Sequence, residues 1–358
     1  MNPLKDITVL LTSVGGPVAP SYVNCFKAVQ ERKITVVGVD SSLENAGRFV
    51  VDKFEKVPPV SEEDAYVTAM LDIAKKYNVD AIVPTAETES LALAAHRDQF
   101  EQIGTKLICA DYDVLKLSSD KSEFCDVLKE HGLPIPEIYS VTTLKAFKEA
   151  AQKLGYPEKA IIMKPKFGIG SRGVRILDER KDRKDILFNH KPESNIFTVM
   201  EDIEKILQDD DFPELVVSEY LPKGIEYSVD ILARNGEMLL CAPKLRMKKI
   251  VGLSLFGVID HNEEVENLCR EMCKIFKLNY NNNIQFKRSE KDILVPFEIN
   301  PRIAATISLA AAAGANLPYF AVKLGLGEDI PDVKINNGVK MYRHLQEVFV
   351  YNDKSFSL

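Results

Sequence analysis

No run of Lys or Arg in this 358-residue chain is long enough to form the basic stripe of a nucleic-acid binder, and the net charge is −7. Local basic residues therefore serve a local anion, and no nucleic-acid partner is expected. Long apolar runs are also lacking. Ile7 to Leu11 is too short for a signal-peptide core, and the Ala-rich stretch Ile303 to Ala313 is below the length a bilayer demands. No membrane partner is expected, and the expected compartment is the cytoplasm. The six cysteines (Cys25, Cys109, Cys125, Cys241, Cys269, Cys273) include no CxxC pair, which fits reduced thiols in a core. Cys269 and Cys273 share a helical face at i,i+4, but without nearby His partners they argue weakly for zinc. No internal repeat is visible. What remains is an ordinary globular composition, 46% hydrophobic and 28% charged, long enough for two or three packed units.

The first hundred residues alternate strand and helix signals. Ile7 to Thr12 reads as a strand, Gly15-Gly16-Pro17 as a turn, Ser21 to Arg32 as a helix and Ile34 to Val39 as a second strand. Ser61-Glu62-Glu63-Asp64 resembles a capping box before a helix with Val67, Met70, Leu71 and Ala74 at helical spacing. Asp80 to Val83 and Lys106 to Cys109 supply further strands, so repeated β-α-β order predicts a parallel, doubly wound sheet. After Asp111 the pattern changes. Asp120-Lys121-Ser122-Glu123 caps a helix that His131-Gly132 and Pro134 end. Helix Thr142 to Leu154 leads to strand Ala160 to Lys164, a glycine-rich loop and strand Val174 to Leu177. Residues 178 to 212 read as one helix flanked by mobile surface segments. Strands Leu215 to Glu219 and Glu226 to Ala233 follow, the latter joined through Asn235-Gly236, a strong hairpin signal, to Glu237 to Cys241. This second part is α+β.

Residues 164 to 173, Lys-Pro-Lys-Phe-Gly-Ile-Gly-Ser-Arg-Gly, contain a literal GxGxxG. A dinucleotide fingerprint needs a helix after the glycines, whereas Val174 to Leu177 reads as a strand. Gly168, Gly170, Ser171 and Gly173 instead suit a flap between antiparallel strands that lends backbone N–H donors to phosphates. Lys164, just before it, can reach those phosphates as a point charge. An ordinary exposed hairpin is the alternative.

Pro296 to Arg302, Pro-Phe-Glu-Ile-Asn-Pro-Arg, is the most informative segment. Alternation puts Glu298 and Asn300 on one strand face, with Phe297 and Ile299 packed behind. A carboxylate beside an amide oxygen suits a hard cation such as Mg²⁺, which takes its other ligands from phosphates and water. Arg302 stands one step beyond, suited to charge on a transferring phosphoryl group. Gln285, on a run expected to pair with this strand, offers another amide oxygen. Lys244 and Arg246, after the hairpin, are candidates for a phosphate or a substrate carboxylate, or form a basic surface strand.

In this order the segments resemble the ATP-grasp superfamily over nearly the whole chain, most closely the carbamoyl phosphate synthase large chain and related carboxylate-amine ligases. Asn283 to Phe286, Phe297 to Arg302 and Ala311 to Pro318 carry the resemblance. It implies a Rossmann-like unit at 1–113, an ATP-grasp unit at 114–330 (a small lid at about 114–215, a larger part at about 216–330) and an extension at 331–358. It also implies ATP with Mg²⁺ or Mn²⁺, metal ligands Gln285, Glu298 and Asn300, catalytic Arg302 and Lys164, and a further phosphate lysine at Lys121. Val216 to Asp230 resembles the family's hinge, where backbone around Glu219, Tyr220 and Leu221 reads adenine and Glu226 accepts ribose hydroxyls.

The same resemblance implies a carboxylate and an amine as partners, a homodimer, and an acceptor site near Thr85, Glu87 and Glu89, which equally suit a helix cap. Two departures stand out: this chain carries one ATP-grasp unit where the synthase has two, and Ile303-Ala304-Ala305-Thr306 replaces a Ser/Arg- or Gly-rich run. A phosphotransferase or a non-catalytic nucleotide binder keeps the same fold. A nicotinamide dehydrogenase using Asp40 for ribose is the remote alternative, and Gly15-Gly16-Pro17 lacks its glycine spacing.

Overall fold

A computed structural model describes residues 4–167, 172–189, 196–208, 212–221, 226–250, 253–352 and 354–356. The N-terminal part alternates strands and helices. β1 (Ile7–Leu11), α1 (Ala19–Lys27), β2 (Ile34–Asp40), β3 (Lys53–Lys56), α2 (Glu63–Tyr77), β4 (Ala81–Val83), α3 (Glu87–Ala95), α4 (Arg97–Gln102) and β5 (Lys106–Leu107) build a parallel five-stranded sheet in the order β3-β2-β1-β4-β5. The chain reverses direction of winding between β1 and β4. That is the switch point where open α/β sheets place a crevice. The short strand β3 has no apolar alternation, which is why the sequence does not reveal it. α1 begins earlier than its apolar pattern, because Pro20 fits the first helical turn, and ends at Lys27. The anticipated capping box before α2 is not made: Glu62 is the cap residue and its side chain accepts no cap bond.

Helix α5 (Tyr112–Ser119) leads into α6 (Lys121–Glu130). The Asp120 carboxylate accepts from the Ser122 and Glu123 amides, so Lys121 opens the helix as its first residue. The second sheet comprises β6 (Ile138–Val141), β7 (Ile161–Pro165), β8 (Arg175–Leu177), β9 (Phe197–Thr198) and β10 (Leu215–Glu219), ordered β6-β10-β7-β8-β9. Helix α7 (Leu144–Lys153) covers it, capped by Thr143. Residues 178–212 hold more structure than the single helix anticipated: α8 (Arg183–Asn189), β9 and α9 (Met200–Ile206). Their high polarity hides two short helices and a two-residue strand.

The third sheet is antiparallel with six strands: β11 (Tyr227–Arg234), β12 (Glu237–Ile250), β13 (Leu253–Ile259), β14 (Tyr280–Arg288), β15 (Leu294–Asn300) and β16 (Lys340–Tyr342), in the order β15-β14-β11-β12-β13-β16. Asn235 and Gly236 both have positive φ, 48° and 83°, as a tight hairpin demands. One face is apolar: Tyr227, Val229, Ile231, Ile284, Phe286 and Ile299 pack against α10 (Glu263–Ile275). The other carries Ser228, Asp230, Lys244, Asn283 and Gln285, and it is overlain by α11 (Ile307–Ala312) and α12 (Leu317–Gly325), which also pack on α1. A small hairpin, β17 (Phe349–Tyr351) and β18 (Lys354–Phe356), follows.

The turn after β1 is tightly closed. A Cβ on Gly47 would lie 1.6 Å from the Val14 carbonyl oxygen, and one on Gly15 2.6 Å from the Asp40 carboxylate. Gly47→Ala must therefore push the 47–49 turn off the β1 loop, and we expect a loss of about 1–3 kcal/mol, the usual range for overpacking. Urea denaturation checks this; an unchanged midpoint would show that the loop gives way freely.

Candidate active site

The side chains at the mouth of the third sheet follow from strand register. Gln285 on β14 lies opposite Glu298 on β15, and Asn283 lies opposite Asn300, so acid and amides share one face. Glu298 is half-buried and has no hydrogen-bond or ion-pair partner among the described residues. The Asn300 amide oxygen accepts from Arg302 Nη2 at 2.8 Å, and Gln285 Oε1 accepts from Arg246 Nη1 at 3.3 Å. A carboxylate with two amide oxygens is a hard-oxygen donor set, and the free Glu298 carboxylate fits a Mg²⁺ ion that keeps places for water and phosphate. Among the described residues no cluster of three or more His, Cys, Asp or Glu offers an alternative metal cage.

Across from Glu298 stand two amines. Lys121 Nζ donates to the Lys166 carbonyl at 3.2 Å, and Lys164, on β7, has no partner among the described residues. Burial pushes both ammonium groups down, and the Glu298 carboxylate partly holds each up. Glu87, first residue of α3 at the switch point, reaches this cleft from the N-terminal sheet; burial raises its carboxyl, countered by Arg302 and Lys121. Thr85 and Glu89 do not join it. Thr85 is bonded to Thr12, and Glu89 is buried.

A second recess adjoins the first through Lys121 and Phe297. Its empty space, open mouth included, is about 540 Å³. Ile138, Ile162 and Leu221 give it apolar walls, and Lys164, Glu219 and Tyr220 also line it. The Glu219 carboxylate accepts from the Glu137 amide at 3.0 Å, while the amides of Tyr220 and Leu221 have no partner among the described residues. Gly173 has φ +72° and closes on the Pro165 ring. Gly168, Gly170 and Ser171 lie outside the described residues.

Several expectations need correction. Phe297 does not pack behind the strand but lines both recesses, because a bulge opposite Gln285–Phe286 re-aims it. Lys244 is neither a surface residue nor open to a substrate: it is 1% exposed and ion-paired with Asp230. Arg246 is bonded to Glu226 at 2.6 Å, and Lys287 stands 3.8 Å from the same carboxylate, so Glu226 is already neutralised. Asp40, the dehydrogenase candidate, is spent on the Gly15 and Ser42 amides. Sequence reasoning missed Lys287, two residues along the strand from Gln285, where period-two alternation was a sufficient signal. Its ammonium lies over the Tyr220 and Phe297 rings at 5.9 and 5.8 Å.

Three families match successive parts of the chain. These are the PylC-like N-terminal domain at residues 9–108, the carbamoyl-phosphate synthase L chain ATP-binding domain at 120–211, and the family described as ATP-grasp in the biosynthetic pathway with Ter operon at 211–347. The chain is therefore an ATP-grasp protein. Within that class its sequence is carbamoyl-phosphate-synthase-like. It is 25% identical over 318 residues to the carbamoyl phosphate synthase large chain of Pseudothermotoga lettingae, matching 85% of this chain and 26% of that one. The large chain of Corynebacterium glutamicum is 24% identical over 296 residues, 74% of this chain and 23% of that one. The chain thus spans about a quarter of the length of these relatives.

Solved structures share the fold. The biotin carboxylase domain dimer of Hydrogenobacter thermophilus 2-oxoglutarate carboxylase, in complex with MgADP, ADP and bicarbonate, aligns with TM-score 0.66 at 17% identity, covering 93% of this chain and 73% of that one. N5-carboxyaminoimidazole synthetase from Staphylococcus aureus, complexed with ADP, has TM-score 0.66 at 16% identity, covering 93% and 80%. Among the described residues no helix is long and apolar enough to cross a membrane.

Proposed function

We propose that the chain is a carboxylate-amine ligase that forms an acyl phosphate from ATP. The observation that carries this is a carboxylate and an amine, Glu298 and Lys164, that line adjoining recesses within electrostatic reach of one another, each without a hydrogen-bond or ion-pair partner among the described residues. Opposite charges held apart in a partly buried space suit a ligand that bears both a cation and phosphates. In this reading adenine enters the recess beside Ile138, Ile162 and Leu221 and meets the free amides of Tyr220 and Leu221. Lys121 and Lys164 hold the phosphates, Gly168, Gly170, Ser171 and Gly173 cover them, and Glu226 serves the ribose while bonded to Arg246. Glu298, Asn300 and Gln285 would hold Mg²⁺, or Mn²⁺, which neutralises phosphoryl charge when bound.

The reaction then runs in two balanced steps. A carboxylate oxygen of the substrate attacks the γ-phosphorus, the bond from that phosphorus to the β,γ-bridging oxygen breaks, and ADP leaves with the electron pair. Arg302, oriented by Asn300 and the Ile303 carbonyl, faces the charge on the phosphoryl oxygens. An amine nitrogen next attacks the acyl carbon, the C–O bond to phosphate breaks, and the nitrogen gives up a proton. Glu87, which lines the recess beside Glu298 and whose carboxyl burial raises, is the carboxylate that receives that proton. The proposed homodimer has a parallel in the dimeric carboxylase relative.

Nucleotide analysis tests the reaction class. Incubating the chain with MgATP and a panel of carboxylates and amines is expected to give ADP and phosphate in equal amounts, dependent on both co-substrates. AMP with pyrophosphate would end this reading, and ADP formed with a hydroxyl acceptor alone would turn it into a kinase.

A further inference from the structure

Two guanidinium groups, Arg302 and one that meets the loop just after it, have no ion-paired carboxylate among the described residues. Arg302 donates only to the Asn300 amide oxygen and the Ile303 carbonyl. Arg343, one residue beyond β16, donates to the Ser254 carbonyl at 3.2 Å, the Ala305 carbonyl at 2.6 Å and, weakly, the Met341 sulfur at 3.9 Å. Every acceptor is neutral, and neither arginine has an ion-pair partner among the described residues. Half-burying a guanidinium against carbonyls alone is costly, and burial pulls the Arg343 group down from its ordinary range. Two backbone carbonyls on different segments fix its plane before any anion arrives.

Two hydroxyls nearby are also unmatched. Tyr22, on α1 of the N-terminal part, is 5% exposed and makes no hydrogen bond among the described residues. It lies within electrostatic reach of Arg302, Arg343 and Asp230; burial pushes its phenol up to about 12, so it stays protonated and is a donor in search of an acceptor. Thr306, next to Ala305, is 5% exposed with an unbonded hydroxyl. Asp230, the one acid in reach of Tyr22, is already held by Lys244 and Asn283. The donors therefore outnumber the acceptors on three converging segments.

We propose that Arg343, the Tyr22 hydroxyl and Thr306 form a second anion subsite beside Arg302, so that the substrate carries two anionic groups, one carboxylate that reacts and a second that docks. Only the fate of the first carboxylate rests on the ligase reading. Arg343 sets specificity by pairing the second anion, and Tyr22 brings the N-terminal part into substrate selection.

Isothermal calorimetry on the full chain saturated with MgADP tests this without turnover, using succinate and glutarate against butyrate and pentanoate. The dianions are expected to bind at least about tenfold tighter than the matched monoanions, the difference of one desolvated charge-assisted pair. Arg343→Gln and Tyr22→Phe should each erase most of that preference while leaving MgADP binding unchanged. Tyr22→Phe keeps the core shape, so it decides the matter even where Arg343→Gln fails to fold. Equal or unmeasurable binding of the dianions by the parent, or an unchanged preference in Tyr22→Phe, overturns the subsite. A parent that prefers dianions yet releases no ADP with any carboxylate and amine sinks the ligase reading and leaves the subsite standing.

Discussion

A Glu298→Gln variant is expected to fold like the parent, to keep binding adenine nucleotide, and to lose turnover by several powers of ten. Glu298 makes no hydrogen bond or ion pair among the described residues, so its loss breaks no direct contact, and what Lys121 and Lys164 lose is a longer-range charge. Its shape and strand register opposite Gln285 are retained. On the proposed reading the carboxylate is the single anionic ligand beside two amide oxygens, and a neutral isostere cannot supply that charge to a cation working on phosphates. The loss should fall on turnover more than on nucleotide affinity, since Glu298 itself does not line the recess proposed for adenine, where β15 contributes Phe297. Thermal shift with ADP and steady-state ADP release separate the two effects. Parent-level ADP release would remove the metal assignment, and a stability change above about 0.5 kcal/mol would mean that Glu298 has a structural role instead.

Much of this site was legible because strand alternation is a strict rule. Once Gln285 and Glu298 are placed on paired strands, period two puts Asn283, Lys287 and Asn300 on known faces, and the sheet follows that pattern except at one bulge. The bulge is what hid Phe297: a single extra residue between ladders changes one side chain's direction without leaving a mark in composition. The parallel sheet was legible from β-α-β order, although β3 and the exact starts of α1 and α2 were not. Long-range ion pairs were invisible. Lys244 looks like any basic strand residue until β11 and β12 are paired and Ser228 is found opposite it, two positions from Asp230. Arg343 lies in a segment with no motif, and only the pairing of β13 with β16 carries it to the loop after Arg302.

That buried pair supports the second large prediction. Lys244 and Asp230 are each 1% exposed and ion-paired, and Asn283 donates to both Asp230 (2.9 Å) and the Val229 carbonyl (3.2 Å). Burial pushes the Asp230 carboxyl up and the Lys244 ammonium down, each countered by the other's charge. Lys244→Met keeps most of the stem volume but leaves Asp230 with only an amide partner in the middle of the sheet, and the expected loss is about 3–5 kcal/mol. Asp230→Asn strands the ammonium in the same way. The double variant Asp230→Asn/Lys244→Met should cost clearly less than the sum of the singles, since no unpaired charge remains. Strictly additive costs would show that the two groups do not stabilise one another. The row Glu298–Gln285–Ser228–Lys244 runs straight across β15, β14, β11 and β12, so a sheet loosened at Lys244 also loosens the strands that carry Gln285 and Glu298. Nucleotide-dependent stabilisation should therefore fall in each single variant and recover in the double, a pattern that a purely local defect at Lys244 would not produce.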